Sequence, residues 1–386
     1  MLKFVVDRNI PLATEAFGSL GDVTLLATGE ITGERVREAD VLIVRSQTKV
    51  NRSLLNMSRV KFVGTTTIGI DHLDIDYLRS AGIAVASAPG CNSNSVKEYV
   101  AAALLFLSAE RGWALQGKSI GVVGVGNVGS KVVTAARALG MTVLRNDPPL
   151  ARSTGDPQLV PLDDLMDCDV ITLHVPLTRS GSDPTYHLFD EKRIGLMKRG
   201  AIFINTSRGA VVGTGALKHA ITTNRLSHTV IDVWENEPGI DTGLLSIATL
   251  ATPHIAGYSL EGKVNGVRMV RDAVCRSFGF TPAPWDPTPQ LGTTGATAVT
   301  VPQASTPVET ALHHAVRQCY DIASDDADLR RMLTMPSDDQ ARYFAQLRSG
   351  YRVRREFSYA PVRLPENRAS LGDTFMKLGF SCFREE

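Results

Sequence analysis

Short apolar runs alternate with stretches of helical character along the first part of the chain. The β-branched runs lie at residues 4–6, 41–44, 60–63 and 83–85, with more polar segments between them. This alternation is typical of a parallel sheet that is covered by helices. It predicts a first α/β domain of the doubly wound type.

A second series of strands and helices begins at Ser119, after a long buried helix predicted at 96–110. It contains more strands than the first series and predicts a second, more complete doubly wound domain. Residues 259–280 have helical character and could return the chain to the first domain. That domain would then be formed by 1–95 and 259–285, with the second domain at 96–258.

The remaining chain has a different composition. Residues 281–307 are rich in Pro, Thr and Gly and predict a linker or an extended arm. Three helical patterns, strand candidates near 357–364 and a final helix follow. The expected fold class is therefore α/β, with two doubly wound parallel-sheet domains plus a small C-terminal α+β domain within 286–386.

A glycine-rich turn, GVGNVG, opens the second domain. Gly124 permits a tight turn, Gly126 lets the backbone approach a pyrophosphate, and Gly129 allows close packing of helix on strand. Asp147 follows 18 residues after Gly129 and would bond the ribose hydroxyls while repelling a 2′-phosphate. The pattern predicts a dinucleotide site that favours NAD over NADP, although nearby Arg145 weakens that preference slightly.

Polar side chains at the ends of later strands suggest a reaction. Arg208, after the strand AIFI, could hold a carboxylate and polarise an adjacent oxygen. His254 could take a hydroxyl proton at neutral pH, and a neighbouring carboxylate would fix its tautomer. Glu237 is the first candidate for that carboxylate, with Glu235 and Asp232 as competitors. Singly, Arg208 could be a surface arginine and His254 a structural histidine, but their order after a nucleotide motif favours hydride-transfer chemistry.

Four motifs occur in an order that resembles the D-2-hydroxyacid dehydrogenase family: GVVGVGNVG, NTSRGAVV, DVWENEP and TPHIAGYS. The resemblance covers residues 1–280. It implies that Arg208 binds the 2-hydroxy acid, Glu237 tunes the histidine and His254 transfers the proton. It also implies NAD as the cofactor, without a metal, held at Gly124, Gly126, Asn127, Val128, Gly129, Asp147, Val175, Thr206, Ser207, Asp232 and Gly257.

Further segments, among them VRSQTKV and YDIASDDADLR, resemble a branch of this family that acts on a phosphorylated polyol acid. The resemblance implies substrate contacts from Ser46, Thr67 and Tyr258, and a C-terminal domain that makes a homodimer. Arg45 and Lys49 would add positive charge for a phosphate. The alternatives are a dehydrogenase of another D-2-hydroxy acid, such as 3-phosphoglycerate, and a non-catalytic NAD-binding scaffold of the corepressor type.

Two positions depart from the family pattern. Arg8 stands where an acidic residue is expected, and Gly213 stands where the family usually has Asp. We expect altered loop stability near Arg208 and an altered surface near the substrate site. Neither position removes a proposed catalytic group.

Composition narrows the classes of partner and compartment. The chain of 386 residues has 41 basic and 40 acidic side chains, so no broad basic field favours nucleic acid or an anionic membrane. Its 5 cysteines are scattered without CxxC spacing, which argues against a disulfide framework or a zinc site. The absence of signal-peptide features at the start adds to an expected cytoplasmic location.

Overall fold

Parallel sheets form the framework of the protein. A computed structural model describes residues 1–281, 285–292, 298–303 and 305–384. In chain order, the strands are β1 (Leu2–Asp7), β2 (Gly21–Leu26), β3 (Val41–Val44), β4 (Phe62–Thr65), β5 (Ala84–Ala86), β6 (Ser119–Val123), β7 (Thr142–Asn146), β8 (Val170–Leu173), β9 (Ala201–Asn205), β10 (Leu226–Ile231), β11 (Leu250–Ala251), β12 (Val299–Thr300), β13 (Pro361–Leu364) and β14 (Ser381–Arg384).

Helices connect most of these strands. In chain order, they are α1 (Ala13–Phe17), α2 (Gly33–Val36), α3 (Arg52–Leu55), α4 (Ile75–Ser80), α5 (Ser93–Arg111), α6 (Gly129–Ala138), α7 (Pro148–Thr154), α8 (Glu191–Leu196), α9 (Thr214–Thr222), α10 (Thr242–Ile247), α11 (Leu260–Phe278), α12 (Thr288–Leu291), α13 (Val308–Cys319), α14 (Ile322–Arg330), α15 (Ser337–Ser349) and α16 (Gly372–Leu378). Among the described residues, none of the helices combines the length and apolar character needed to cross a membrane.

The first compact unit comprises Met1–Asn92 and Ser259–Gly295. Its sheet has the order β2-β1-β3-β4-β5, with parallel strands throughout. Alternate residues of the central strands belong to cores on opposite faces, as Leu42 and Ile43 do. Helix α11 returns to this unit and packs on β4, where the absence of a side chain at Gly64 leaves room for Val270.

The second compact unit comprises Ser93–Tyr258 and Ala296–Glu386. Its large sheet has the order β11-β10-β9-β8-β6-β7, and every strand is parallel to its neighbours. Both faces are again buried, since Ile202 and Phe203 belong to different cores. The strand order reverses between β6 and β8, so the ligand-binding edge of a doubly wound sheet lies there. The predicted fold class is confirmed.

The C-terminal residues differ from the separate domain that the sequence predicts. Their small sheet, β12-β13-β14, and helix α13 share one hydrophobic core with α5 and α6. Phe357 and Phe375 are buried in that core together with Leu104 and Val132. Because this apolar surface is shared, Ala296–Glu386 and Ser93–Tyr258 form one compact unit. The predicted boundary at residue 95 falls inside α5.

The predicted linker at 281–307 lies partly outside the described residues, because 282–284, 293–297 and 304 are not described. Its described part contains α12 and β12. β12 pairs with β13 in parallel, with Val299 opposite Val362. This portion of the segment therefore contributes a strand to the C-terminal sheet.

Candidate active site

The glycine turn lies at the carboxyl end of β6. Gly124 has φ 86°, a left-handed conformation, and its N–H donates to the carbonyl of Asn146 at 2.8 Å. A Cβ at Gly129 would lie only 1.9 Å from the carbonyl oxygen of Gly124, so the helix must begin with glycine to pack this closely. A Cβ at Gly126 would meet no atom within 4 Å. The backbone at Gly126 is therefore accessible to a ligand such as a pyrophosphate.

Asp147 lies at the end of the neighbouring strand β7 and joins the glycine turn to α7. Its carboxylate accepts hydrogen bonds from the N–H groups of Val125 at 2.8 Å and Leu150 at 3.0 Å. Arg145, two residues earlier, is paired with Asp156 at 3.2 Å. The charge of Arg145 is thus engaged by an acid, and the arrangement fits a cofactor with free ribose hydroxyls.

The other predicted cofactor positions lie in this turn or after strands of the same sheet. Asn127 is exposed and Val128 is half-buried just before α6. Val175 follows β8, and its Cγ1 would lie 2.8 Å from a Cβ at Gly124. Gly257 is half-buried in the loop between β11 and α11. These residues follow the carboxyl ends of β6, β8 and β11.

His174 is a residue at this edge that the sequence reasoning missed. Its ring lies 3.0 Å from the Thr172 hydroxyl and 3.3 Å from that of Thr206. Burial lowers the pKa of His174 to about 3, so the ring is neutral at physiological pH. It links the end of β8 to the loop after β9, and its position directly after a buried strand could have drawn attention to it.

The turn that contains Arg208 is fixed by its own hydrogen bonds. The Asn205 side chain accepts from the N–H of Ser207 at 3.1 Å and its hydroxyl at 2.8 Å, and donates to the Arg208 carbonyl at 3.1 Å. Arg208 is half-buried, and its Nη1 donates to the Ser207 carbonyl at 2.7 Å. A Cβ at Gly209 would lie 1.9 Å from the carbonyl carbon of Trp234. The Arg208 turn therefore packs directly on the backbone of the loop that carries Glu237.

His254 and Glu237 form a close pair. The imidazole Nδ1 lies 2.7 Å from Glu237 Oε2, while Glu237 Oε1 accepts the N–H of Trp234 at 2.9 Å. Burial acts to raise the pKa of Glu237, but His254, Arg348 and the Trp234 N–H together lower it below the ordinary value. Glu237 is thus ionised, and its carboxylate accepts a hydrogen bond from the protonated Nδ1 of His254. The imidazole is 29% exposed, so it is accessible rather than sealed in the core.

Asp232 holds the loop that carries His254. Its carboxylate accepts from the Thr252 hydroxyl at 2.7 Å and from the N–H groups of Ile255 and Ala256 at 2.8 and 3.0 Å. Its own carbonyl accepts the His254 N–H at 2.7 Å. Asp232 is 1% exposed, and burial raises its pKa. Of the three acids considered from the sequence, Glu237 contacts the imidazole.

Glu235, the third of these acids, acts at another place. It lies 2.8 Å from His187 Nε2 and accepts from the Thr214 N–H at 2.9 Å and hydroxyl at 2.6 Å. Gly213, the departure from the family pattern, precedes α9 and provides no side-chain cap. The carboxylate of Glu235 therefore caps α9 where an aspartate at Gly213 would otherwise do so.

The predicted substrate residues are divided between the two units. Tyr258 is half-buried at the end of the His254 loop. Arg45 and Ser46 follow β3, and Thr67 lies shortly after β4, at one carboxyl edge of the first sheet. Arg8 follows β1 at that edge and forms an exposed ion pair with Glu30 at 2.9 Å. The substrate roles of these residues remain predictions.

Comparison with known proteins defines the class. Residues 96–256 match the family described as D-isomer specific 2-hydroxyacid dehydrogenase, NAD binding domain, and 293–379 match a domain of unknown function, DUF3410. In structure, the chain is similar to the D-lactate dehydrogenase from Aquifex aeolicus complexed with NAD and lactic acid. That similarity has a TM-score of 0.61 and 28% identity, covering 72% of this chain and 96% of that one. The predicted NAD-dependent D-2-hydroxyacid dehydrogenase is confirmed.

The particular family follows from relatives that match nearly the whole chain. The erythronate-4-phosphate dehydrogenase of Chromohalobacter salexigens is 42% identical over 98% of both chains. That of Salinibacter ruber is 46% identical over 94% of both. The chain belongs to the erythronate-4-phosphate dehydrogenase family.

Proposed function

We propose that the protein oxidises 4-phospho-D-erythronate to 2-oxo-3-hydroxy-4-phosphobutanoate in pyridoxal 5′-phosphate biosynthesis. The observation that carries this proposal is the 2.7 Å contact between His254 and Glu237 in a chain with an NAD binding domain. The names of the full-length relatives support the choice of substrate.

The proton moves through His254. Because the ionised Glu237 accepts a hydrogen bond from Nδ1, the lone pair of the imidazole is on Nε2. Nε2 has no hydrogen-bond partner within the described parts of the chain. It is therefore available to take the C2 hydroxyl proton, and Glu237 stabilises the resulting imidazolium.

A bound NAD would supply the acceptor for the hydride that leaves C2. The glycine turn and the first turn of α6 would hold its pyrophosphate, and Asp147 would accept hydrogen bonds from its ribose. Gly126 leaves the required space, and the acid at Asp147 disfavours a 2′-phosphate. These residues fit NAD in both shape and charge.

The carboxylate and the phosphate of the substrate require positively charged side chains and neutral hydrogen-bond donors. We assign the carboxylate and the C2 oxygen to Arg208, whose guanidinium would stabilise the negative charge that develops as the proton leaves. Ser46, Thr67 and Tyr258, with Arg45, would bind the phosphate and the remaining hydroxyls. A phosphorylated polyol acid uses all of these groups, whereas a small unsubstituted hydroxy acid would use few of them.

We also propose that the protein is a homodimer in the cytoplasm. Apolar side chains of the C-terminal region are exposed in the single chain, with Val353 at 75% and Met376 at 57%. A second copy could cover part of this surface. The free cysteines suit a reducing compartment.

A comparison of substrates tests the proposed function. The purified protein is given NAD with 4-phospho-D-erythronate, 3-phosphoglycerate or D-glycerate at equal concentrations, and NADH formation is followed by absorbance. We expect kcat/KM for 4-phospho-D-erythronate to be at least 100-fold above the others. Equal or higher kcat/KM for 3-phosphoglycerate would contradict the substrate assignment.

A further inference from the structure

Arg348 reaches the His254–Glu237 pair from a distant part of the sequence. It lies in the last turn of α15, inside the segment that matches the domain of unknown function. Its Nη1 is 3.6 Å from Glu237 Oε2, the same oxygen that contacts His254. Its guanidinium is also hydrogen-bonded to the side chain of Tyr258. One buried cation thus contacts both the acid behind the imidazole and a predicted substrate residue.

The placement of Arg348 is fixed by packing of its helix. Phe344, one turn earlier, is fully buried in the core that also contains Trp234 of the Glu237 loop. The Tyr343 hydroxyl donates to the carbonyl of Asp328 at 2.9 Å and joins α15 to α14. The Arg348 side chain is only 13% exposed. Because burial of an unpaired guanidinium is costly, these contacts indicate a specific position.

The ring of Tyr258 is held from a second side. It packs edge to face against Tyr351, with the ring centroids 5.8 Å apart. Tyr351 lies two residues after the end of α15, and its hydroxyl donates to Asp325 at 2.8 Å. The matched segment of unknown function therefore contacts Tyr258 through two neighbouring side chains, Arg348 and Tyr351.

We propose that Arg348 is a positioning residue for the dehydrogenase reaction, through which the C-terminal segment orients Glu237, and hence His254, within the same chain. Its hydrogen bond to Tyr258 would orient that phenol at the same time. The inference rests on the proposed function of this site. It assigns to the C-terminal segment a role besides the proposed dimer contact.

The position of Arg348 also affects the electrostatic environment of His254. Within the described parts of the chain, the carboxylates of Glu237 and Asp232 interact with His254, and Arg348 is a cation beside Glu237. Without Arg348, the two acids would favour the imidazolium more strongly. Oxidation needs the neutral imidazole, so removal of this cation should move the acidic limb of the pH profile to higher pH.

The test compares three arginine variants with 4-phospho-D-erythronate and NAD. Arg348→Gln removes the charge and Arg348→Lys keeps it. Arg342→Gln is the matched control, because Arg342 lies on the same helix, is 66% exposed and pairs with Asp339. We expect Arg348→Gln to lower kcat by roughly 10- to 100-fold and to move the acidic limb of kcat/KM upward by roughly 1 pH unit. Arg348→Lys should keep the acidic limb of the pH profile close to its wild-type position. Arg342→Gln should have the kcat and the pH profile of the wild type.

Other results would overturn the proposal. An Arg348→Gln variant with wild-type kcat and pH profile would contradict it, as would a loss of activity with an unmoved acidic limb. A rise in KM alone would indicate direct substrate binding instead. If Arg348→Gln does not fold, the same measurements are made on Arg348→Met, because methionine keeps the length of the aliphatic part of the side chain. Wild-type protein without turnover would contradict the proposed function as well, whereas an active wild type with an unaffected Arg348→Gln contradicts only the role of Arg348.

Discussion

At the residue scale, the backbone of His254 has an uncommon conformation. Its φ is 57°, in the left-handed region that costs a residue with a side chain on the order of 1 kcal/mol. The hydrogen bonds of Asp232 to the backbone at His254, Ile255 and Ala256 offset this cost. These hydrogen bonds hold the loop in which the imidazole contacts Glu237.

A buried acid, Glu98, lies at the start of α5 among charged neighbours. Burial and the charge of Glu356 raise the pKa of Glu98 to about 8, although Arg354 and Lys97 oppose the shift. Its Oε1 accepts the N–H of Phe357 at 2.9 Å. Its Oε2 has no hydrogen-bond partner in the described chain. The carboxyl group is therefore best accommodated in its neutral form.

The raised pKa of Glu98 makes stability depend on pH. The folded state holds this proton more tightly than the unfolded state, so the contribution is complete below the ordinary pKa of glutamate and is lost as pH rises towards about 8. Glu98→Gln keeps the shape and removes the titration. We expect this variant to gain on the order of 2 kcal/mol relative to wild type between pH 6 and pH 9, measured by urea unfolding.

The control for this prediction is Glu110→Gln, at the other end of the same helix, where the side chain is 49% exposed. Its stability relative to wild type should change by less than about 0.5 kcal/mol over the same pH range. A Glu98→Gln variant whose stability follows the wild-type curve at every pH would contradict the neutral carboxyl group.

At the element scale, helix α9 begins without a cap of its own. Its N-cap residue is Gly213, and the first N–H group, that of Thr214, is satisfied by Glu235 from the loop after β10. The cap thus ties α9 to the loop that also carries Glu237. A change at one of the two positions should be compensated by a change at the other.

A pair of substitutions measures this compensation. Glu235→Ala should lower the free energy of unfolding by about 1–2 kcal/mol, because the cap is lost. Adding Gly213→Asp should return about 1 kcal/mol. Gly213 has φ −68°, and a Cβ there would lie 3.7 Å from Ala216, so an aspartate fits without strain.

Urea titration of the single and double variants gives these values. Glu191→Ala, an acid that is 76% exposed at the start of α8, is the control and should change stability by less than about 0.5 kcal/mol. If Gly213→Asp fails to raise the stability of the Glu235→Ala variant, Glu235 does not act as the cap.

At the scale of the whole molecule, the carboxyl edges of the sheets were predictable from the sequence. Parallel strands end at the same edge, so motifs such as those of Gly124, Arg208 and His254 come together once the strand pattern is recognised. The partner of His254 could be narrowed to three acids but not chosen, since the choice depends on the path of one loop.

Contacts between distant segments were beyond sequence reasoning. Arg348 lies 111 residues after Glu237 in a helix whose polar pattern resembles an ordinary solvated face. The shared core of the C-terminal segment with α5 was missed for the same reason, because apolar periodicity shows that a helix is buried and not what buries it.

The proposed dimer is a prediction at this scale. Size-exclusion chromatography with light scattering should give twice the mass of one chain. Met376→Lys places a charge on the exposed apolar surface and should shift the protein towards the monomer, because a buried unpaired charge opposes association. A monomeric wild-type protein at micromolar concentration would contradict the dimer.

The rate of the first turnover measures the role of His254 most directly. Wild-type protein and His254→Gln are each mixed with NAD and 4-phospho-D-erythronate in a stopped-flow instrument, and NADH is detected before product release. We expect the variant to bind NAD with unchanged affinity and to form NADH at least 100-fold more slowly, because the group that accepts the hydroxyl proton is absent. A first turnover in His254→Gln within a few-fold of wild type would contradict the assignment of His254 as the base.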